Sequence, residues 1–239
     1  MNAADIMTPD VICAGPDTAL PELIRLMLDN VISAVPIVDE GRLVGIVSEG
    51  DLLRRAETGT EAHPSYWIAL ITSPDRLAAD YVRAHGRKAG EVMTRDVITV
   101  DDSTPLAEIA DLLEARRIKR LPVLRDGRLV GIVSRRDLLR ALASRLNAPP
   151  ASAEDRAIRD AFYAELSRQP WTDQAASINA MVVDGVVHLW GYAPKGIRRQ
   201  AVVVVAENIP GVRLVEDHLQ DPRTFDPLDR PNWPSPAPP

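Results

Sequence analysis

The chain has 239 residues, of which 46% are hydrophobic and 26% charged, as expected for a globular protein with one large core or two small ones. Its formal net charge of −6 argues against nucleic acid as the main partner, because phosphate binding depends on clustered cations. The N-terminus lacks the features of a signal peptide, and the longest aliphatic run, residues 201–206, is far shorter than the roughly 20 residues that cross a bilayer. These features predict a cytoplasmic protein.

One short sequence occurs twice in the chain. Residues 41–48 read Gly-Arg-Leu-Val-Gly-Ile-Val-Ser, and residues 127–134 repeat them letter for letter at an offset of 86 residues. Asp-Leu-Leu-Arg follows each copy, at 51–54 and at 137–140. Because this register is kept without a gap, it indicates an internal duplication, and we expect two copies of one small fold to pack together.

Each repeat is predicted to form a strand, a helix, two strands and a second helix. In the first repeat, residues 4–56, an apolar stripe at i, i+3, i+4 and i+7 predicts the first helix, and Ser48 begins the second. The stripe consists of Leu20, Leu23, Ile24 and Met27, and the strands are predicted at residues 11–14, 35–38 and 43–47. The second repeat, residues 89–143, reproduces this pattern, with Ser103-Thr104-Pro105 as the start of its first helix.

Residues 57–88 separate the repeats and are more numerous than a linker requires. A helix is predicted over residues 75–85, with Leu77, Tyr81 and Val82 on one face. The favoured interpretation is a helical insert that packs this face on the repeat pair. The alternative is a lid over a ligand cleft.

After a linker at 144–153, residues 154–220 predict a second domain in the order helix, strand, strand, helix, strand. Asp184-Gly185 between two apolar strands is a strong signal for a two-residue hairpin turn. The second helix is predicted over residues 197–209, and a strand is the alternative there because four valines are consecutive. The proline-rich tail, residues 221–239, is predicted to be extended or disordered.

Both repeats resemble the CBS domain. The resemblance is carried by Met-Thr at 7–8 and 93–94, by Ser-Ala-Val-Pro-Ile-Val-Asp at 33–39 and Lys-Arg-Leu-Pro-Val-Leu at 119–124, and by Gly-Ile-Val-Ser-x-x-Asp-Leu-Leu in both copies. It implies an α+β fold in which two β-α-β-β-α repeats form a pseudo-symmetric pair. It also implies a homodimer and a regulatory adenosine ligand between the repeats: AMP, ADP, ATP or S-adenosylmethionine.

The Ser/Thr-x-x-Asp motif of that family contacts the ligand, and the resemblance assigns this role to Ser48 and Asp51 and to Ser134 and Asp137. The chemistry agrees, because Asp137 lies one turn into a helix whose first N–H groups gather at Ser134, and its carboxylate can accept from both ribose hydroxyls. The alternative is a capping box, in which the serine and the acid satisfy the helix start.

The two sites are predicted to differ in charge. Around Ser134 the second repeat has Lys119, Arg120, Arg135 and Arg136, whereas the corresponding positions of the first repeat carry no cation. Family members often place phosphate-binding residues where Lys119 and Arg120 stand. The hypothesis is that the Asp137 site binds the phosphorylated ligand, while the Asp51 site is weaker, empty or takes an uncharged ligand.

Residues 154–220 resemble the BON domain. The match is carried by Val-Asp-Gly-Val-Val-x-Leu-x-Gly at 183–191 and by Pro-Gly-Val-x-x-Val-x-Asp at 210–217. It implies an α-β-β-α-β domain that contacts phospholipid membranes or hydrophobic ligands. A basic-aromatic surface for anionic lipid is one interpretation, and aromatic residues packed on a helix are the other; the residues are Trp190, Tyr192, Lys195, Arg198 and Arg199.

No reactive constellation is recognisable in the sequence. The four histidines, at 63, 85, 188 and 218, are scattered without metal-ligand spacing, and neither a glycine-rich phosphate loop nor a nucleophile elbow is present. We expect no catalytic residues and no metal, hence a non-catalytic regulatory protein whose BON domain carries the response to an unknown partner or surface. A constitutive dimeric scaffold is the alternative, and peripheral membrane binding through the BON domain is a third reading.

Overall fold

The structure, a computed structural model, describes residues 1–53, 73–145, 152–172 and 178–221. It divides the chain into two compact units, Met1–Ala151 and Ser152–Pro239. Part of the predicted insert, residues 57–72, and the predicted tail from residue 222 lie outside the described residues. Among the described helices, none has both the length and the apolar composition needed to cross a membrane.

The first repeat contains a helix packed beside an antiparallel hairpin. Its elements are α1 (Ala3–Ile6), α2 (Leu20–Asp29), β1 (Ala34–Asp39), β2 (Arg42–Ser48) and α3 (Glu49–Leu52). Helix α2 buries Leu20, Leu23 and Met27, but Ile24 is 38% exposed, so the apolar stripe is narrower than predicted. The predicted strand at 11–14 is reduced to one parallel bridge between Ala14 and Ile37.

The second repeat follows with the same order. Its elements, with a preceding helix, are α4 (Pro74–His85), α5 (Ala89–Val92), β3 (Val100–Asp101), α6 (Leu106–Ala115), β4 (Arg120–Arg125), β5 (Arg128–Ser134) and α7 (Arg135–Arg145). Here the first strand persists, with β3 parallel to β4. The prediction for the start of α6 was wrong: the helix begins at Leu106 with Pro105 at the N-cap, and the Ser103 hydroxyl binds Asp101 instead.

The repeats exchange their N-terminal segments. Thr8 pairs with Ile132 in β5, and Thr94, 86 residues further on, pairs with Ile46 in β2. Met7 lies so close over Gly131 that a Cβ there would be 2.4 Å from its sulfur, and Met93 over Gly45 repeats this at 2.3 Å. A side chain at either glycine would therefore displace a methionine of the other repeat. These matched contacts join the repeats into one pseudo-symmetric pair.

Helix α4 does not bury the face predicted for it. Tyr81 is 64% exposed and Val82 45% exposed, while Ala84 is the buried residue of this turn. The ring of Tyr81 stacks on His85, with centroids 4.0 Å apart. Helix α4 buries Ala84 and leaves the face that carries Tyr81 exposed. The prediction that Tyr81 and Val82 pack on the repeat pair was therefore wrong.

The second unit packs two helices on one face of a three-stranded sheet. Its elements are α8 (Ala153–Ser167), β6 (Ile178–Val183), β7 (Val186–Tyr192), α9 (Ile197–Glu207) and β8 (Leu214–Gln220). Strand β7 is central, antiparallel to β6 and parallel to β8. Asp184 and Gly185 turn the hairpin with φ of 51° and 72°, a left-handed pair that glycine tolerates best. The segment from Ile197 is a helix, as predicted, and the strand alternative is wrong.

Candidate nucleotide site between the repeats

The carboxylate of Asp137 lies at the start of α7 and is almost completely buried, with 4% of the residue exposed. Its Oδ2 accepts hydrogen bonds from the Ser134 N–H at 2.8 Å and from the Ser134 hydroxyl at 2.6 Å. Its Oδ1 accepts from Arg140 Nη1 at 3.0 Å, one turn along the helix. The side chain thus binds the helix start through one oxygen and a cation through the other.

Asp51 occupies the corresponding position at the start of α3. Its Oδ2 accepts from the Ser48 N–H at 2.8 Å and from the Ser48 hydroxyl at 2.7 Å. Its Oδ1 accepts from the hydroxyl of Thr94 at 3.2 Å, and Thr94 belongs to the N-terminal segment of the second repeat. This carboxylate therefore joins the two repeats directly, and its second oxygen faces a neutral hydroxyl.

Arg135 performs a structural task at the end of α6. Its Nε donates to the Ile118 carbonyl at 3.0 Å and its Nη2 to the Leu113 carbonyl at 2.8 Å. The last carbonyls of a helix have no partner within the helix, and a guanidinium stabilises them by hydrogen bonds and by its charge. In this conformation, Arg135 is directed toward that helix end.

Arg120 is a half-buried cation at the start of the second hairpin. It donates a hydrogen bond to the hydroxyl of Ser33, which precedes β1 of the other repeat. Burial lowers the pKa of Arg120, the carboxylates of Glu49 and Asp137 oppose this effect, and the charge of Arg136 adds to it. The guanidinium therefore lies within the electrostatic field of Asp137 while contacting both repeats.

The structure brings part of the predicted set together. Arg120 interacts electrostatically with Glu49 at the start of α3 and, to a lesser extent, with Asp137 and Arg136 at the start of α7, whereas Ser48 and Asp51 bind each other at the start of α3. Lys119 and Arg136 are exposed. A carboxylate oxygen that can accept from ribose hydroxyls, near guanidinium groups that can bind phosphate, is chemistry suited to a nucleotide.

The predicted basic-aromatic surface of the second unit is not one continuous cationic patch. Arg199 Nε donates to the Asp217 carboxylate at 2.7 Å. Trp190 stacks on His218 with ring centroids 4.0 Å apart, on the sheet face opposite the helices. Tyr192 and Arg198 line a small cavity together with Trp171. Aromatic packing therefore accounts for part of this set.

Sequence reasoning missed a cluster of His188, Glu216 and His218 in the same unit. Their nearest ligand atoms all lie within 4.8 Å of one another. Alternation along each strand was a signal that these residues share a face, but the register that joins β7 to β8 cannot be read from spacing.

Known families match both units. The CBS domain family matches residues 3–57 and 89–144, and the BON domain family matches residues 154–220. The uncharacterized protein MJ1426 of Methanocaldococcus jannaschii is 37% identical over 155 aligned residues, covering 59% of this chain and 91% of MJ1426.

Two further comparisons concern CBS proteins by name. A CBS domain-containing protein of Dictyostelium discoideum is 33% identical over 150 aligned residues, covering 62% of this chain and 95% of that protein. The crystal structure of CBSX2 in complex with AMP is similar with a TM-score of 0.53 at 30% identity, covering 61% of this chain and 98% of that one. The protein described here therefore belongs to the CBS-domain family, with a tandem CBS pair followed by a BON domain.

Proposed function

We propose that this protein is a non-catalytic regulator whose CBS pair binds an adenosine ligand, namely AMP, ADP, ATP or S-adenosylmethionine. The observation that carries the proposal is the half-buried Arg120, which contacts Ser33 of the other repeat while lying in the field of Asp137. The presence of AMP in the similar CBSX2 structure supports the same ligand class.

Ligand binding at Asp137 involves the oxygen that faces Arg140. Oδ1 accepts from Arg140 at 3.0 Å, so the ribose hydroxyls share this oxygen with the guanidinium or displace it, while Oδ2 keeps the helix start intact. Arg120, Arg136 and Lys119 then provide the positive charge for a phosphate. Capping and ligand binding thus use different oxygens of one carboxylate.

The position of Arg120 between the repeats allows ligand binding to change how the repeats contact each other. A phosphate that binds its guanidinium competes with Ser33 for the same donors, so the bound and free states differ in contacts between the repeats. A ligand changes the population of two arrangements only by the difference between its affinities for them. We propose that the BON domain conveys this change to a protein partner or surface.

The two sites are proposed to differ in ligand. Asp51 faces the neutral Thr94 hydroxyl, and its neighbour Glu49 offsets the charge of Arg120, whereas Asp137 has Arg140 at 3.0 Å. A phosphorylated ligand is therefore expected at Asp137. An uncharged ligand, weaker binding or an empty site is expected at Asp51.

The test compares Asp137→Asn with the matched Asp51→Asn by titration calorimetry against AMP, ADP, ATP and S-adenosylmethionine. Asparagine keeps an oxygen for the helix cap but removes the charge. We expect Asp137→Asn to weaken binding of the phosphorylated ligand by at least about tenfold, because a lost charged hydrogen bond costs about 1.5–3 kcal/mol. Asp51→Asn should bind it as the wild type does.

The proposal fails if the wild type binds none of the four compounds, or if only Asp51→Asn loses binding. Thermal unfolding provides a second readout, because a ligand at about 100 times its Kd stabilises the folded state by about 2.7 kcal/mol. Equal unfolding temperatures of the ligand-free variants and the wild type would show that the cap is intact.

A dimeric scaffold is the second candidate, and exposed leucines favour it. Leu53 at the end of the first repeat is 68% exposed, and its counterpart Leu139 on α7 is 66% exposed. Leu28 on α2 is 71% exposed. We propose that a second copy covers these side chains, since apolar area of this kind favours association. Light scattering should give a dimer for the wild type and a monomer for Leu139→Lys.

Peripheral membrane contact through the BON domain is tested separately. Exposed Lys195 and Arg198 are the cations that can attract anionic lipid. Co-sedimentation with vesicles containing phosphatidylserine would support this output. Recovery of the protein in the supernatant would leave a protein partner as the proposed output.

A further inference from the structure

Three metal-ligating side chains lie on the sheet face of the second unit that points away from its helices. Val187, Leu189 and Leu219 belong to the core on the helical face, so the alternate positions of β7 and β8 point the other way. His188 and Glu216 are register partners across the parallel β7–β8 pair, and His218 is two residues beyond Glu216. Backbone pairing therefore positions all three groups.

The distances between the ligand atoms fit one metal ion. Glu216 Oε2 is 3.0 Å from His188 Nδ1 and 3.2 Å from His218 Nε2. With metal–ligand bonds of about 2.0–2.1 Å, two tetrahedral ligand atoms are separated by about 3.3 Å. Small shifts of the side chains would place an ion between them, with two imidazole nitrogens and one carboxylate oxygen as ligands.

The residues around the cluster limit the orientation of one imidazole and leave the ligand atoms accessible to solvent. The indole of Trp190 stacks on His218 with an interplanar angle of 15°, which limits the orientation of that imidazole. His188 is the most buried of the three, with 11% of its side chain exposed, and its Nδ1 faces Glu216. The side chains of Glu216 and His218 are 44% and 34% exposed, which leaves access for an ion and for water as a further ligand.

We propose that His188, Glu216 and His218 bind a divalent late first-row metal ion, with Zn²⁺ as the probe, and that one coordination position stays open to solvent. The ligand set matches the preference of such ions for imidazole and carboxylate. Because the ligands come from both β7 and β8, a bound ion cross-links these strands. The site is independent of the adenosine ligand proposed above.

The test is a calorimetric titration of the full chain, without an affinity tag, with ZnCl₂. We expect one site in the wild type, and visible absorption typical of low coordination number when Co²⁺ replaces Zn²⁺. His218→Ala and Glu216→Gln should each weaken Zn²⁺ binding by at least about tenfold. Loss of a residue that only supports a metal ligand already has an effect of about this size, so loss of a ligand should have no smaller one. The control His85→Ala, at an exposed position of helix α4, should bind as the wild type does.

Hydrogen exchange locates the effect. Zn²⁺ should increase protection in Val186–Tyr192 and Leu214–Gln220 and leave Arg120–Arg125 unchanged. The proposal is overturned if the wild type binds no Zn²⁺, or if the variants at 216 and 218 bind it like the wild type. Glu216→Gln decides the matter if His218→Ala does not fold, because glutamine keeps the size of the side chain.

Discussion

Replacing Asp155 by alanine should destabilise the C-terminal unit, because this buried carboxylate joins the start of α8 to the β6–β7 turn. Its Oδ2 accepts from the N–H groups of Ser152 at 3.0 Å and Asp184 at 3.1 Å, and its Oδ1 accepts from Gly185 N–H at 2.9 Å. The Asp155 N–H in turn donates to the Ser152 hydroxyl at 3.0 Å. The residue is 3% exposed.

The magnitude follows from which donors lose their acceptor. The Gly185 N–H is buried, and leaving a buried donor unsatisfied costs about 1–3 kcal/mol. The bond from the residue-155 N–H to the Ser152 hydroxyl survives the substitution, but the negative charge near the positive end of α8 is lost, which adds about 1 kcal/mol. The Ser152 and Asp184 amides are only partly buried, so water can replace the carboxylate there. Asp155→Ala should therefore reduce the free energy of unfolding of this unit by about 2–4 kcal/mol.

The effect should depend on pH in a defined direction. Burial alone would raise the pKa of Asp155, but the backbone N–H groups of Ser152, Gly185 and Asp184 outweigh it and hold the pKa below its usual value. A depressed pKa in the folded state contributes stability above the unfolded pKa of about 3.9, and this contribution is lost as pH falls through the folded value. The difference between wild type and Asp155→Ala should shrink below about pH 4.

Hydrogen exchange of peptides covering Ile178–Tyr192 measures this unit without interference from the CBS pair. A loss of about 2–4 kcal/mol accelerates exchange through unfolding by roughly thirty- to thousandfold. Asp160→Ala, at an exposed position of the same helix, is the matched control and should exchange like the wild type. Equal protection in Asp155→Ala and Asp160→Ala at pH 7 would refute the reasoning.

Two further predictions concern the CBS pair. Gly131→Ala should lower the unfolding temperature in a thermal scan, because its Cβ would lie 2.4 Å from the Met7 sulfur and overpacking costs about 1–3 kcal/mol. The control in the same scan is Gly50→Ala, whose Cβ would have one contact, at 3.6 Å. Arg135→Ala should cost about 1–2 kcal/mol in urea unfolding, since the Leu113 carbonyl at the end of α6 and the Ile118 carbonyl in the following loop lose their donor. An unchanged midpoint would contradict the structural role assigned to Arg135.

Much of the fold could be predicted because it depends on sequence patterns that extend over only a few residues. The spacing of Leu20, Leu23 and Met27 predicted α2, and the letter-for-letter copy at 127–134 predicted a second hairpin. Helix periodicity and turn residues report backbone conformation within a few residues, which short-range sterics decide. The boundary at Ser103-Thr104-Pro105 was misplaced because a hydroxyl residue before a proline can bind a loop carboxylate as well as cap a helix.

The candidate nucleotide site was predicted in composition but not in geometry. Ser134 and Asp137 were identified by a motif, and their spacing places both at the helix start. The direction in which each cationic side chain points could not be derived from the sequence in the same way. Arg120 and Arg135 differ in role because one is directed toward Ser33 and the other toward the end of α6, and long side chains of the same type choose between such partners only in the folded protein.

The sequence by itself determined the duplication, the longer helices, the hairpins and the residue types at the helix starts, since these depend on neighbouring residues. Only the tertiary structure decided that Met7 lies over Gly131 and that His188 meets Glu216. Those contacts join residues distant in the chain, and their register is selected by close packing and strand pairing across the whole unit. No spacing in the sequence encodes that register, because it is a property of surfaces that exist only after folding.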